Sequence, residues 1–154
     1  PDLDEFMFAP SRSQLGQVAN FLIDLQECQC FYCGKSLKNN KYAVDHFIPW
    51  SLYPADTGHN FVLADDKCNS QKSNYLASEE FLNQWLERNH LHDQLITQEI
   101  SQLGFLTDIQ RSHRVADWAY RQEVENEYLV WLGGSEKKLV SKLIEIRCEN
   151  KVII

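Results

Sequence analysis

Apolar residues recur at helical spacing near the start of the chain. They stand three or four positions apart, at Leu15, Val18, Leu22 and Leu25. This is the spacing of one face of an amphipathic helix. Ser11, with Gln14 three positions later, predicts a capping box at the helix start. We therefore expect a helix with one buried face in this region.

The middle of the chain alternates between short apolar runs and turn-forming residues. Tyr42 to Val44 and Phe61 to Ala64 predict two strands, and a polar segment from about Asp66 predicts a helix. The loop between the strands is rich in turn formers: Pro49, Pro54, Asp56 and Gly58. The predicted order is strand, loop, strand, helix.

Helical periodicity returns after Ser78, which precedes two glutamates and is predicted to cap a helix. Three helices are predicted in this region. The first has Phe81 and Trp85 on its inward face, and the second has Leu95, Ile96, Ile100 and Leu103 and ends at Gly104. The third runs from about Asp108 to Glu123, with Ile109, Val115, Ala119 and Tyr120 on its inward face. Tyr128 to Leu132 predicts a short strand before Gly133 and Gly134. The last predicted helix holds Leu139, Val140, Leu143 and Ile144. The fold class is therefore α+β, mostly helical by residue count.

Polar residues with catalytic potential stand where the two predicted strands meet the loop and the helix. Asp45 and His46 end the first strand, Asn60 precedes the second, and Asn69 and Lys72 lie in the polar segment. A carboxylate and an amide supply the hard oxygen ligands that a divalent cation prefers. A neighbouring imidazole can take a proton from water. This set indicates metal-assisted hydrolysis of phosphate esters.

The segments VDHFIPW and HNFVLADDKCNSQKS resemble the HNH, or ββα-metal, endonuclease family over roughly residues 26–75. The variant is the one whose last motif residue is Asn, as in the HNH domain of RNA-guided CRISPR effector nucleases. The resemblance implies that His46 is the general base and that Asp45 and Asn69 hold one Mg²⁺ or Mn²⁺. It further implies that Asn60 fixes the loop between the strands and that Lys72 contacts substrate phosphate.

The cysteines suggest a second, structural metal. Cys30 and Cys33 form a C-x2-C pair followed by Gly34, as in a knuckle whose two thiolates reach one tetrahedral zinc. Zinc-bearing members of the resembled family place a second C-x2-C pair where Asp65 and Cys68 stand here. The implied ligands are Cys30, Cys33, Asp65 and Cys68. Cys28, Asp66 and His59 are alternative ligands, and free cysteines without zinc are a further alternative.

Charge and composition limit the other possibilities. The net charge of −7 argues against a strong nucleic-acid surface on this chain alone. We therefore expect DNA engagement to depend on a partner protein or on the remainder of a larger chain, an expectation that Pro1 at the first position also suggests. Five cysteines, an odd count, and the lack of a long apolar run favour a reduced cytoplasmic protein away from membranes.

Three regions are expected: a flanking helix in 1–25, a zinc-stabilised nuclease core in 26–75 and a helical extension in 76–154. The extension could form one compact domain with the core. Because similar domains occur in larger bacterial restriction and antiphage proteins, the resemblance implies a defence role. The competing hypothesis is a catalytically silent zinc-ribbon module that binds nucleic acid or protein. Trp85, Trp118 and Trp131 could stack on bases, but aromatic residues at such spacings are usually core.

Overall fold

The computed structural model describes residues 10–139 of the chain. Its centre is a strand pair followed by a helix. Strand β1, Tyr42–His46, pairs antiparallel with β2, Phe61–Asp65, so that Tyr42 lies opposite Asp65 and His46 opposite Phe61. Helix α2, Asp66–Lys72, follows β2 directly. The predicted order of strand, loop, strand and helix is therefore confirmed.

Helix α1, Arg12–Leu25, begins at the predicted capping box. The backbone N–H of Gln14 donates to Ser11 Oγ at 3.1 Å, and the Ser11 N–H donates to Gln14 Oε1 at 2.9 Å. These two bonds satisfy donors that the first helical turn leaves free. Val18 and Leu22 are the buried residues of α1, which packs against β1 and β2.

The second half of the described chain contains two long helices, α3 and α4. Helix α3 runs from Glu79 to Gln102, with non-helical backbone angles inside it at His92 (φ −113°, ψ 16°). The sequence predicts two helices here, and the structure contains both, joined end to end at this kink. Helix α4, Ile109–Glu125, starts at Asp108, whose side chain accepts a hydrogen bond from the Arg111 N–H.

A hairpin closes the described part of the chain. Strand β3, Leu129–Gly133, pairs antiparallel with β4, Glu136–Leu139. The turn between them is tight because Gly133 and Gly134 adopt positive φ values of 108° and 56°. The sequence predicts a helix that includes Leu139, but this residue ends β4. The remainder of that predicted helix lies outside the described residues.

Aromatic side chains join the strand pair to the C-terminal elements. Phe47 stacks on Trp85 of α3 with ring centroids 4.8 Å apart, and Tyr32 meets Trp131 of β3 edge to face at 5.1 Å. Trp85 and Trp131 are fully buried, so neither is a stacking platform.

The fold is α+β, as predicted, with two small antiparallel sheets among helices. Within residues 10–139, none of the helices has the length and apolar character needed to cross a bilayer.

Candidate functional site

His46 lies at the end of β1 and is held by a carboxylate from the following loop. Its Nε2 atom is 2.7 Å from Asp56 Oδ1, and the His46 and Asp56 side chains are 25% and 13% exposed. With Asp56 accepting, Nε2 carries the proton and Nδ1 has a free lone pair. Among residues 10–139, nothing hydrogen-bonds to Nδ1, and this atom is not sealed from solvent. The arrangement therefore holds the imidazole in one orientation and leaves Nδ1 able to accept a proton.

Two aromatic rings pack around the His46 imidazole. The Phe61 ring, directly across the strand pair, has its centroid 5.4 Å from that of His46. Trp50 approaches from the loop, with centroids 5.5 Å apart and the ring planes 63° from parallel. Phe61 is completely buried, whereas Trp50 is half exposed. The imidazole thus has a buried wall on one side and an exposed aromatic residue beside it.

Asn60 holds the loop that carries these residues. Its side chain accepts from the Ile48 N–H at 2.7 Å and donates to the Ile48 carbonyl at 3.0 Å. Both bonds are buried, so an aliphatic residue here would leave the Ile48 amide and carbonyl without partners. Asn60 therefore fixes the backbone two residues beyond His46.

Helix α3 secures the segment around Asn60 from behind. Arg88 donates to the carbonyls of His59 and Phe61 at 2.8 and 2.9 Å, and Trp85 Nε1 donates to the His59 carbonyl at 2.9 Å. Burial lowers the pKa of Arg88 to about 9, which leaves the guanidinium charged at neutral pH. Gly58 fits closely, since a Cβ at this position would lie 2.8 Å from the Thr107 methyl group.

Asp45 points to a different set of partners from His46, as expected for consecutive strand residues. Its Oδ2 atom accepts from the Tyr32 hydroxyl at 2.6 Å and lies 3.3 Å from Lys72 Nζ. Burial, followed by the nearby Asp45 charge, raises the pKa of Tyr32 well above its usual value. Tyr32 thus stays protonated and donates to the carboxylate.

Lys72 is almost completely enclosed, with 1% of its side chain exposed. Its ammonium donates to the His46 carbonyl at 3.1 Å in addition to pairing with Asp45. Burial lowers the pKa of Lys72, while the Asp45 charge acts against that shift. The sequence predicts a substrate contact for Lys72. In the structure its ammonium has internal partners instead, because the end of α2 packs against β1.

Asn69 lies one helical turn before Lys72 on the same face of α2. Its side chain makes no hydrogen bond within the described part of the chain, and the residue is partly exposed. Asp45 also keeps one carboxylate oxygen, Oδ1, without a protein partner there. These two free oxygens are of the hard type that Mg²⁺ or Mn²⁺ takes. The Asp45 and Asn69 oxygens are therefore of the chemical type that such an ion binds, although Lys72 partly offsets the Asp45 charge.

The four predicted zinc ligands come together at the other end of the strand pair. One ligand atom from each of Cys30, Cys33, Asp65 and Cys68 lies within 4.8 Å of all the others. A tetrahedral zinc with bonds of about 2.3 Å separates its sulfur ligands by about 3.8 Å. The cluster thus has the number of ligands that one zinc ion needs, and they lie close enough together to hold it. It is the only group of three or more His, Cys, Asp or Glu side chains of this kind in residues 10–139.

Local backbone features create this cluster. The Gly34 N–H donates to the Cys30 carbonyl at 3.0 Å, and Gly34 has a φ of 71°, which allows the tight turn of the knuckle. Asp65 ends β2 and caps α2, with its Oδ1 accepting from the Cys68 N–H at 2.9 Å. Its other oxygen accepts from the Cys33 thiol at 2.9 Å. One carboxylate therefore connects both halves of the cluster.

The close packing of these four side chains shifts the pKa values of three of them. Burial and the Asp65 hydrogen bond raise the pKa of both Cys33 and Cys68. Partial burial raises the pKa of Asp65, but hydrogen bonds from Cys33 and from the Cys68 amide outweigh it and lower the pKa below the usual range. Because zinc binds thiolates, its binding would release these thiol protons.

The alternative ligands lie outside the cluster. Cys28 is partly buried and is not among the four grouped residues. His59 is buried and its Nε2 is 2.7 Å from Asp93 Oδ1. Asp66 is exposed and likewise not part of the group. Asp65 is therefore the fourth member beside the three cysteines.

The sequence alone does not reveal two residues at the His46 site. It predicts only a turn at Asp56 and no functional role for Trp50. A weak signal existed for both, because each lies within ten positions of His46 in a loop that must return to Asn60. Only the path of that loop shows which of its side chains reach the imidazole.

Comparison with known proteins gives one result for this region. Residues 30–78 match the model of a family described as HNH endonuclease. No curated protein matches the chain. The matched segment contains β1, β2, α2 and both side-chain clusters, so the resemblance to HNH endonucleases is confirmed there, and the cysteine group fits a zinc knuckle. Nucleases of this family use divalent metals.

Proposed function

We propose that the chain is a metal-dependent endonuclease that hydrolyses DNA phosphodiester bonds, with His46 as general base. The observation that carries the proposal is the geometry of His46. Asp56 fixes Nε2 at 2.7 Å, and within residues 10–139 Nδ1 has no hydrogen-bond partner. A general base needs this combination of fixed orientation and an open lone pair.

Each remaining residue has a distinct role in the proposed reaction. His46 Nδ1 takes a proton from the attacking water, and Asp56 stabilises the resulting imidazolium. Asn60 keeps the loop in place through its two bonds to Ile48. Asp45 and Asn69 would hold one Mg²⁺ or Mn²⁺, which supplies charge stabilisation for the phosphate and its leaving oxygen.

Lys72 takes a positioning role in this proposal. It contacts both the Asp45 carboxylate and the carbonyl of His46, so one side chain sets the position of two adjacent residues. A buried ammonium also limits the directions in which Asp45 can turn.

We propose that the cysteine cluster holds a structural Zn²⁺. We also propose that the chain acts within a larger bacterial defence protein or with a partner protein.

One observation favours a second candidate, a silent zinc-ribbon module that binds nucleic acid or protein. The Asp45 carboxylate already has a cation, Lys72, at 3.3 Å. If that pair persisted in solution at all times, a divalent ion would meet a carboxylate whose charge is largely offset. The chain would then retain its zinc-dependent fold without metal-dependent hydrolysis.

Cleavage assays on matched variants separate the two candidates. The 154-residue chain would be incubated with single-stranded and double-stranded DNA in Mg²⁺, Mn²⁺ or EDTA. We expect ion-dependent cleavage that His46→Ala lowers by about 10²–10⁴-fold. Asn69→Ala should lower activity in a way that higher Mn²⁺ partly restores. His90→Ala, which changes an exposed histidine on α3, is the matched control.

The fold of each variant would be checked by circular dichroism and zinc content. A folded His46→Ala protein that cut DNA at the unmodified rate would exclude the proposed mechanism. No ion-dependent cleavage by the unmodified chain, together with nucleic-acid binding, would favour the zinc-ribbon candidate.

A further inference from the structure

Trp50 is an exposed tryptophan directly beside the proposed general base. Half of its side chain is accessible to solvent, whereas Trp85 and Trp131 are fully buried. Its ring centroid is 5.5 Å from that of His46. Trp118 is similarly exposed, so it is the position of Trp50 next to the imidazole, and not its exposure alone, that indicates a surface for a ligand.

The backbone on both sides of Trp50 is firmly held. Ile48 is bonded through its amide and carbonyl to Asn60, and Pro49 is buried. The Pro49 carbonyl then accepts from the N–H groups of Leu52 and Tyr53 at 2.9 and 3.0 Å. The indole is thus presented on a fixed turn, which lowers the entropy lost when a ligand binds to it.

The charge of the chain makes such a contact more important. The net charge is −7, and Lys72, which contacts the His46 carbonyl, is buried in an internal pair with Asp45. Apart from the proposed divalent ion, electrostatic attraction to phosphate therefore supplies little affinity at this position. Stacking between a base and an aromatic ring does not depend on charge and tolerates all bases.

We propose that Trp50 is a substrate-binding residue that stacks on a nucleobase next to the phosphate attacked at His46. A base can stack on the indole only after leaving its neighbours in the strand. The preferred substrate is therefore DNA that is single-stranded or unpaired at the cut, rather than continuous duplex. This inference rests on the proposed nuclease function and specifies the substrate of that site.

A base-deletion experiment tests the contact directly. Single-stranded oligonucleotides of one sequence would carry an abasic residue at each position within three nucleotides of the cut. For the unmodified chain, one abasic position should raise KM by about 5- to 150-fold, the factor that corresponds to the stacking energy of one base on an aromatic side chain. Trp50→Ala should raise KM by a similar factor on the intact strand, and the abasic residue should then have little further effect.

Two variants serve as controls. Trp50→Phe keeps an aromatic face and should retain most of the affinity. Trp118→Ala removes a tryptophan of similar exposure, 46%, from helix α4 and should leave KM unchanged. Duplex DNA of the same sequence should be cut more slowly than the single strand, with a smaller effect of Trp50→Ala.

Three results would overturn the inference. The abasic effect could remain at full size in Trp50→Ala, which would place the base elsewhere. Trp50→Ala could match Trp118→Ala on every substrate. Trp50→Ala could also lower kcat at constant KM, which would mean that the indole only positions His46.

A binding measurement separates failure of this inference from failure of the proposed function. Fluorescence of His46→Ala would be titrated with the intact and the abasic strands, and compared with His46→Ala/Trp50→Phe. Quenching that needs both Trp50 and the base would support stacking even if no variant cleaved DNA. Cleavage with no such quenching would retain the nuclease proposal and reject the stacking contact.

Discussion

The two side-chain clusters of the strand pair differ in how their members are held. The strand pair places Asp65 of the cysteine cluster opposite Tyr42 and His46 opposite Phe61, so the clusters lie at opposite ends, about 13 Å apart along the strands. Each ligand atom of the cysteine cluster lies within 4.8 Å of every other. The His46 site is instead a chain of contacts to backbone and carboxylate groups. The first arrangement is suited to enclosing an ion, and the second to fixing one open lone pair.

Helix α2 connects the two clusters. Cys68 in its first turn belongs to one, and Lys72 at its end contacts Asp45 and the His46 carbonyl in the other. Zinc bound at one end would therefore help to position residues at the other. The comparison predicts that changes in the cysteine cluster affect mainly stability, whereas changes to His46 and its partner Asp56 affect mainly activity.

The largest expected effect is loss of the cysteine cluster. Cys33→Ser should remove the bound zinc and greatly destabilise the protein, because structural zinc supplies about 10–16 kcal/mol of apparent binding free energy in small domains. Cys33 is exposed, so lost packing contributes little. Zinc content by elemental analysis and thermal unfolding would measure both effects.

Cys28→Ser is the matched control, since Cys28 is nearby but outside the cluster. We expect about one zinc per chain in the control and in the unmodified protein. Equal stability of the two variants, or a folded unmodified protein free of zinc, would contradict the assignment of these residues as zinc ligands.

The next largest effect concerns the buried pair that joins α2 to β1. Lys72→Met should destabilise the fold by about 3–5 kcal/mol, because it leaves the Asp45 carboxylate without its cation. Adding Asp45→Asn should recover part of this loss, since no buried charge then remains unpaired. Urea unfolding of both variants tests the expectation. Lys67→Met, at an exposed position of the same helix, should be close to neutral.

Much of the central architecture could be predicted because its signals are local in sequence. The capping box at Ser11 and Gln14, the apolar runs of β1 and β2, and the C-x2-C pair at Cys30 each involve residues a few positions apart. Spacing alone determines which side chains share a turn or a face. The four members of the cysteine cluster were predicted for this reason together with the family resemblance.

The contacts that the sequence did not reveal depend on the path of the chain. Tyr32 reaches Asp45 across 13 positions, and Lys72 reaches the His46 carbonyl across 26. Strand β4 shows no alternation of apolar and polar residues in the sequence, because all four of its residues are exposed. Burial of Lys72 also reverses the usual expectation for a lysine, since packing of a short helix against a strand outweighs the preference for solvent.

Changes at Asp56 test whether residues around His46 affect mainly activity, and we expect them to have a smaller effect than the changes above. Asp56→Ala should lower the cleavage rate by about 10²-fold, because the imidazole loses the partner that fixes its orientation. Asp56→Asn keeps an acceptor and should fall between this variant and the unmodified chain. Zinc content and unfolding midpoint should change little. Unchanged cleavage by Asp56→Ala would show that other contacts suffice to orient His46.

The smallest expected effect is on the pH dependence of stability, and it comes from the buried imidazoles of His113 and His59. Burial is the main cause that lowers the pKa of His113 to about 4, and it also lowers the pKa of His59, against the opposing effect of Asp93. An unfolded histidine has a pKa of about 6.5. Between pH 6.5 and 4 the unfolded state therefore binds protons that the folded state does not, so stability falls as the pH falls through this range.

His113→Gln isolates this contribution. One pKa unit corresponds to about 1.4 kcal/mol, and after allowance for solvent screening we expect His113 to account for about 1–2 kcal/mol of the loss between pH 7 and pH 4.5. The variant should show a shallower fall in unfolding free energy with pH, measured by urea titration at several pH values. His90→Gln, at an exposed position, should retain the full slope. Proton uptake by the cysteine cluster is common to the unmodified protein and both variants, so the difference in the slope of unfolding free energy against pH reports His113. Identical slopes would show that the His113 imidazole titrates normally in the folded protein.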